Sequence, residues 1–242
     1  MLKNKINNSF YYIFLAFLAI TLIFSSQSFA QKRKPSKPAP APAETPTPKP
    51  AEPQVIKPPE TLLSLEEMAV METDKGDITL EFYPKSAPNH VRQFVWLART
   101  GYFDGMTISR IIPKFIIQSG NPSSWDESNA NKKKRFDIPK LKAEYDTNVK
   151  HERGTLSMAR PGNDPDGGTT HFFICSQKAS SLDNGYSIFG HVINGIEVVD
   201  TIAASPIEQG TQDKPAEHIA VKHILIKEKE TEKPKETESK QQ

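Results

Sequence analysis

Between Phe103 and Gly120 (FDGMTISRIIPKFIIQSG) a single arginine, Arg110, stands among Met106, Ile108, Ile111, Ile112, Phe115, Ile116 and Ile117, and Gln118 follows eight residues after it. A strong cation is seldom left in apolar company without a partner or a task. Two readings are open on spacing alone. Arg110 either anchors the rim of the fold through a salt bridge, with Glu144 or Asp137 as candidate partners, or it is a donor that acts on something. A second cluster lies at His171–Ser176 (HFFICS), where two-residue alternation puts His171, Phe173 and Cys175 on one face and Phe172 and Ile174 on the other. His171 and Cys175 could each ligate a metal, but two ligands do not make a site and no other His/Cys cluster is near in sequence. No metal is expected.

The elements that must position these residues are short. Met68–Glu72 and Ile78–Tyr83 flank a Lys-Gly turn and read as a β-hairpin. Ser86 is the expected N-cap of a helix with Pro88 in its first turn; Val91, Phe94, Val95, Leu97 and Ala98 recur at helical spacing, and Gly101 ends the element. Trp96 falls off that stripe. The stretch around Arg110 reads as two short strands about Pro113. Asn121–Asn148 is polar and irregular and contains the run Lys132–Arg135, which reads as a solvated loop. Gly154–Arg160 is a strand, Pro161–Thr170 a turn-rich loop, and His171–Ser176 the next strand. A turn at Leu182–Gly185, a strand over Tyr186–Val192, a short helix with Ile196, Val199 and Ile202 on one side, and a last strand over His218–Ile226 complete the pattern. Many short strands with two helices point to a mainly β fold, a closed antiparallel barrel with helical caps.

The rest of the chain frames this domain. Lys3 and Lys5 precede an apolar run, Phe10–Phe24, and Ser28-Phe29-Ala30 supplies small residues where a signal peptidase reads. Residues 1–30 are therefore expected to be a signal peptide cleaved after Ala30, with export to the periplasm or cell envelope. An uncleaved membrane anchor is the rival reading, but the run is shorter than the ~20 residues a spanning helix needs. Gln31–Glu60 holds half of the chain's 20 prolines and is expected to be an extended linker, reaching on the order of 90 Å at ~3.1 Å per residue. Residues 227–242 lack apolar side chains and read as a charged tail. This leaves one domain at 61–226, about 165 residues, enough for one core. With 31 basic and 29 acidic residues the net charge is +2, which gives no argument for nucleic acid. The one cysteine excludes an internal disulfide.

Four blocks, FDGMTISRIIPKFIIQSG at 103–120, GTLSMAR at 154–160, THFFICS at 170–176 and LDNGYSIFG at 182–190, resemble in order and spacing the cyclophilin family of peptidyl-prolyl cis/trans isomerases. The resemblance covers nearly all of Met68–Ile226. It implies a closed eight-stranded antiparallel β-barrel with a helix at each end, an active groove on the outside of that barrel, no cofactor, and proline-containing polypeptides as partners. It places Arg110 on the family's catalytic arginine, and Phe115, Phe173 and Leu182 on the walls of the proline pocket. Gln118 matches the groove glutamine, Ala159 and Arg160 fall where the strand backbone pairs with bound peptide, and Ile116 replaces a common methionine.

Three positions depart from the family. His171 stands where glutamine is usual, which introduces a pH sensitivity of affinity expected between about pH 5.5 and 7.5. Tyr186 replaces a histidine of many eukaryotic members and keeps an aromatic wall. Ser181 replaces a tryptophan of the cyclosporin-binding groove, so weak or no cyclosporin binding is expected. The implied chemistry suits an arginine: rotation about an X-Pro bond pyramidalises the proline nitrogen, and a permanently charged planar donor favours that twisted state over either ground state. A peptide-binding chaperone or scaffold with little turnover is the alternative, and a monomer is expected because nothing suggests a coiled coil.

Overall fold

The computed structural model describes residues 67–124 and 138–228. The expected signal peptide, the proline-rich linker, the basic run at 132–135, Asp137 and residues 229–242 lie outside the described residues. The secondary structure runs β1 (Glu67–Thr73), β2 (Gly76–Phe82), α1 (Pro88–Arg99), β3 (Met106–Thr107), β4 (Arg110–Ile112), β5 (Ile116–Ser119), β6 (Thr155–Met158), β7 (Phe172–Cys175), β8 (Ile188–Asn194), α2 (Ile196–Ala203) and β9 (Ala220–Glu228). Short 3-10 turns occupy Pro122–Ser124 and Ser180–Leu182.

The nine strands among the described residues form one curled antiparallel sheet in the order β3-β9-β1-β2-β8-β6-β7-β5-β4. The eight strands of the sequence expectation become nine, because the stretch before Pro113 is broken at Ile108–Ser109 into β3 and β4. Those two are the ends of the ladder yet neighbours in the chain. The residues between them bond to both ends, Ile108 N–H to Ile219 O (2.9 Å) and Ser109 N–H to Gln118 O (2.9 Å). The expected hairpin is β1–β2, with Thr73 opposite Gly76. The last strand continues through Lys227 and Glu228, which pair with Met68 and Glu67, two residues past the expected boundary.

Alternation sorts the core. One row of paired residues, Ile111–Ile117–Ile174–Leu156, crosses β4, β5, β7 and β6, and every member is at most 1% exposed. Phe94 of α1 meets Phe103, Phe172 and Phe189 at ring-centroid distances of 5.1, 5.2 and 5.4 Å. Each such ring stabilises the fold by roughly 1.5–3 kcal/mol through burial. Trp96, off the sequence stripe, is also buried in this core.

Helix α1 differs from expectation at its start. Ala87 is the N-cap, with no side-chain cap bond, and Pro88 occupies the first turn. Ser86 Oγ donates instead to Asp146 Oδ2 (2.7 Å). The N–H groups of the first turn that lack a helical partner are met by a remote carboxylate: Glu144 accepts from Asn89 N (3.0 Å) and His90 N (3.1 Å) and from the ring Nδ1 of buried His90 (2.7 Å). A negative group at a helix N-terminus also meets the positive end of the helix dipole. Burial pushes the Glu144 carboxyl up, but these hydrogen bonds outweigh it and hold it below its usual range. Glu144 is thus committed to α1 and not to Arg110.

Candidate active site

The site is built by strand register. A second row, Arg110–Gln118–Phe173–Ser157, crosses the same four strands directly beside the core row. Directly opposed residues of antiparallel strands present their side chains on one face, and neighbouring strands lie ~4.8 Å apart. Arg110 and Phe173 are therefore on one face with their backbones on the order of 10 Å apart. The residues two positions along continue that face: Ile112, Ile116 and Cys175 are again paired across β4, β5 and β7. This explains the apolar company of Arg110. Ile111 and Ile117 belong to the core, whereas Ile112, Phe115 and Ile116 belong to a separate cluster on the opposite face of the sheet, with Phe173, Leu182 and Tyr186.

That cluster surrounds a cavity of about 230 Å³, lined from β4–β5 by Arg110, Phe115, Ile116 and Gln118, from the end of β6 by Ala159 and Arg160, and by Phe173, Leu182 and Tyr186. Ile112, which sequence reasoning did not single out for the site, lines it as well. His171 lies in an adjoining cavity of about 380 Å³ that shares Arg110, Gln118, Ala159 and Arg160 with the first. Phe173 is only 2% exposed, so it is floor more than wall. Its ring stacks on buried His151 (6.0 Å, 14°) and meets the edge of Tyr186 (5.6 Å, 85°). Ser181 is exposed in the 3-10 turn that carries Leu182.

The ten residues that the sequence singled out thus converge on two joined cavities, but three contacts within them differ from what it suggested. The salt-bridge partner of Arg110 is neither Glu144 nor, among the described residues, any acid near in sequence. It is Asp213, whose Oδ2 accepts from Arg110 Nε at 2.6 Å, with both side chains about 40% exposed. Arg160, expected only as a backbone partner, is a rim staple. Its guanidinium donates to Gly185 O through Nε (3.0 Å) and Nη2 (2.8 Å) and to Pro161 O and Gly162 O through Nη1, and its Cζ sits 4.6 Å over the Tyr186 ring. His151, which the sequence did not flag, holds the floor from beneath, bonded to Asp183 Oδ1 (3.0 Å) and Ser157 Oγ (3.2 Å).

Electrostatically the apolar half of the site is quiet. Burial lowers the His171 pKa, and burial lowers that of His151 against the partial opposition of Asp183, so both rings are disposed to be neutral at pH 7. Burial pushes the Cys175 thiol up to about 12, which removes it as a nucleophile. Among the described residues no three His, Cys, Asp or Glu side chains converge as a metal site. What the arrangement offers is a fixed cation beside a small apolar pocket, with a polar cavity adjoining.

Comparison with known proteins agrees with this geometry. The family model described as cyclophilin type peptidyl-prolyl cis-trans isomerase/CLD matches residues 68–226. A peptidyl-prolyl cis-trans isomerase of Acinetobacter baylyi is 34% identical over 164 residues, covering 64% of this chain and 84% of the relative. A peptidyl-prolyl cis-trans isomerase-like 2 of Gibberella zeae is 36% identical over 160 residues, but the match covers 65% of this chain and only 26% of that longer protein. Among solved structures, a cyclophilin type peptidyl-prolyl cis-trans isomerase of Cryptosporidium parvum, crystallised in the presence of the dipeptide Ala-Pro, superposes with a TM-score of 0.58 at 26% identity, covering 66% of this chain and 98% of that one. With the family model spanning both rows of the site and the last strand, the chain belongs to the cyclophilin-type peptidyl-prolyl cis/trans isomerase family.

Proposed function

We propose that the chain accelerates cis/trans isomerisation of X-Pro bonds in polypeptides, with Arg110 as the catalytic donor. The observation that carries this is the placing of Arg110 in one small cavity with Phe115, Phe173 and Leu182. The X-Pro barrier is ~20 kcal/mol because twisting breaks amide resonance. In the twisted amide the proline nitrogen regains a lone pair, which a planar ground state lacks. A guanidinium N–H directed at that nitrogen therefore binds the transition state better than either isomer. The apolar side chains hold the pyrrolidine ring while the carbonyl on its N-terminal side rotates, and Gln118 and His171 offer hydrogen bonds to the flanking peptide. Only the torsion angle changes, so this chain's residues supply all the groups the step needs. The dipeptide used with the Cryptosporidium relative makes Ala-Pro a suitable core for a test peptide.

The decisive measurement is the cis-to-trans rate of a short Ala-Pro peptide with the full chain, beside Arg110→Ala. Loss of one charged donor to a transition state lowers kcat/KM by about 10²–10³-fold. Equal rates for the two proteins would overturn the assignment. Binding of the peptide without acceleration by the unmutated chain would establish the groove-binding chaperone in its place, a reading kept alive by His171 and Ser181, two positions where the groove departs from its relatives.

The barrel itself is read as closed. The support is that Met106–Ile112 joins β9 at one end and β5 at the other, with the Ile108 and Ser109 N–H groups bonded to both sides. We further propose that the clients are exported polypeptides and that the chain acts in the periplasm or at the cell envelope, on the strength of the apolar run Phe10–Phe24 and the Ser28-Phe29-Ala30 site. N-terminal sequencing of protein recovered from the producing cell would read Gln31 first if this is right; an intact Met1 in the cytosol would overturn it.

A further inference from the structure

We propose that Asp213 is a positioning residue for the reaction: it holds the Arg110 guanidinium from behind so that the guanidinium's other donors face the proline pocket. The inference rests on Arg110 being the catalytic donor.

Arg110 opens β4, the last strand of the sheet order, which has a strand partner, β5, on one side only. The other edge is covered by the segment after α2, and Asp213 is where it touches. Its backbone carbonyl accepts from Ile111 N–H at 2.7 Å, and its carboxylate accepts from Arg110 Nε at 2.6 Å. One residue thus grips two consecutive residues of β4, through both its main chain and its side chain.

The segment that presents Asp213 is itself braced. Glu208 N–H bonds Lys214 O (2.8 Å), Thr211 N–H bonds Glu208 O (3.0 Å), and Ala216 N–H bonds Pro206 O (2.8 Å). Ile207 and Pro215 form a bridge across its base. An anchor of this kind matters because an arginine side chain carries ~2 kcal/mol of rotamer entropy, and a donor aimed at a reacting atom must be held to within about 0.5 Å. The single contact is also economical. An arginine has five N–H donors, and the one side-chain hydrogen bond of Arg110 among the described residues uses only Nε–H. Both terminal nitrogens, with two N–H groups each, stay available to the cavity, whereas a bidentate acid would have taken a donor from at least one of them. Asp213 lines neither cavity, and its side chain bonds Arg110, so its effect on a proline held there runs through Arg110.

The test uses the full chain with Asp213→Ala and Asp213→Asn, each also in an Arg110→Ala background. Asp213→Ala should lower kcat about tenfold with KM unchanged, since orientation is lost and no substrate contact is. Asp213→Asn, whose amide oxygen still accepts from Nε–H, should stay within about threefold of the unmutated protein. With Arg110→Ala present, neither change should lower the rate further. An unchanged kcat in Asp213→Ala, a rise in KM instead of a fall in kcat, or a further loss in the Arg110→Ala background would each overturn the proposal. A second readout does not depend on turnover: the Arg110 Nε–H signal in nitrogen-15 NMR should exchange slowly with water in the unmutated chain and fast in Asp213→Ala. If the unmutated chain shows no isomerisation, the functional reading has failed. The exchange measurement then still decides whether Asp213 holds the guanidinium, and equal exchange in the two proteins would sink that as well.

Discussion

Replacing Arg160 by lysine keeps the charge at the rim of the groove and removes its shape. In the structure the guanidinium joins three carbonyls, those of Gly185, Pro161 and Gly162, and covers the Tyr186 ring. It therefore ties the loop before β8 to the loop after β6, on either side of the cavity. An ammonium can meet one of these carbonyls but cannot span them or stack as a plane. Net hydrogen bonds of this type stabilise by ~0.5–1.5 kcal/mol each and an exposed cation–π contact by ~0.5–1 kcal/mol. The Pro161 and Gly162 contacts are exposed, so most of their loss is recovered by water. What remains is the Gly185 pair and the stacking, about 1–2 kcal/mol in all. For a domain of this size that lowers Tm by roughly 2–8 °C. If the loops must be reordered when peptide binds, the same energy weakens Kd by roughly 5- to 30-fold. Thermal unfolding and peptide titration of Arg160→Lys and Arg160→Gln, each at low and high salt, separate shape from charge. The reasoning fails if lysine matches the unmutated protein in both Tm and Kd while glutamine does not, because charge alone would then be the contribution of Arg160.

Other expected outcomes follow from single contacts. Gly120 has φ +83°, and a Cβ there would lie 2.1 Å from Thr170 O; Gly120→Ala should cost about 2–5 kcal/mol in denaturant unfolding, from left-handed strain plus displacement of the segment at Thr170–His171 that leads into β7. Glu144→Ala removes the acceptor for the first turn of α1 and for buried His90, and should cost about 2–4 kcal/mol by the same measurement. Because the Glu144 carboxyl is held below its usual value, its contribution is present above the unfolded pKa near 4.5 and is lost as the pH falls from there. His171 and His151 have the opposite charge type but the same sign. Both pKa values are lowered from 6.5 on folding, so the unfolded chain takes up protons first, and stability should fall as the pH drops below about 6.5. For the same reason any pH step in peptide affinity that His171→Gln abolishes should lie below pH 6.5, not across the 5.5–7.5 window of an unperturbed imidazole.

Much of the site was legible because it is written in strand alternation. The split of His171–Ser176 into Phe173 and Cys175 on one face and Phe172 and Ile174 on the other needs only the two-residue period, and the structure has the same division. The hairpin, the body of α1 and the apolar side of α2 carry equally local signals. What escaped the sequence depends on residues far apart in the chain. Asp213 is 103 residues from Arg110, and no spacing rule connects a loop acid to the far edge of a sheet. Glu144 looked like a partner for Arg110 because acids pair with cations, but a helix N-terminus with no side-chain cap of its own competes for the same carboxylate. The break at Ile108–Ser109 was invisible because β3 and β4 hold two and three residues, too few to show a period.

The order of the sheet also has a consequence for when the domain can form. Strand β9, which begins at Ala220, is inserted between β3 and β1, and it is the partner that β1 and β3 share. A chain emerging from the ribosome up to residue 219 has the β1–β2 hairpin but lacks the strand that would complete the ladder around it. The pairings that join the first strand to the last have the longest sequence separation of the strand pairings among the described residues, and folding is slower where such non-local pairing dominates. Until β9 is available, β1 and β3 have no strand between them.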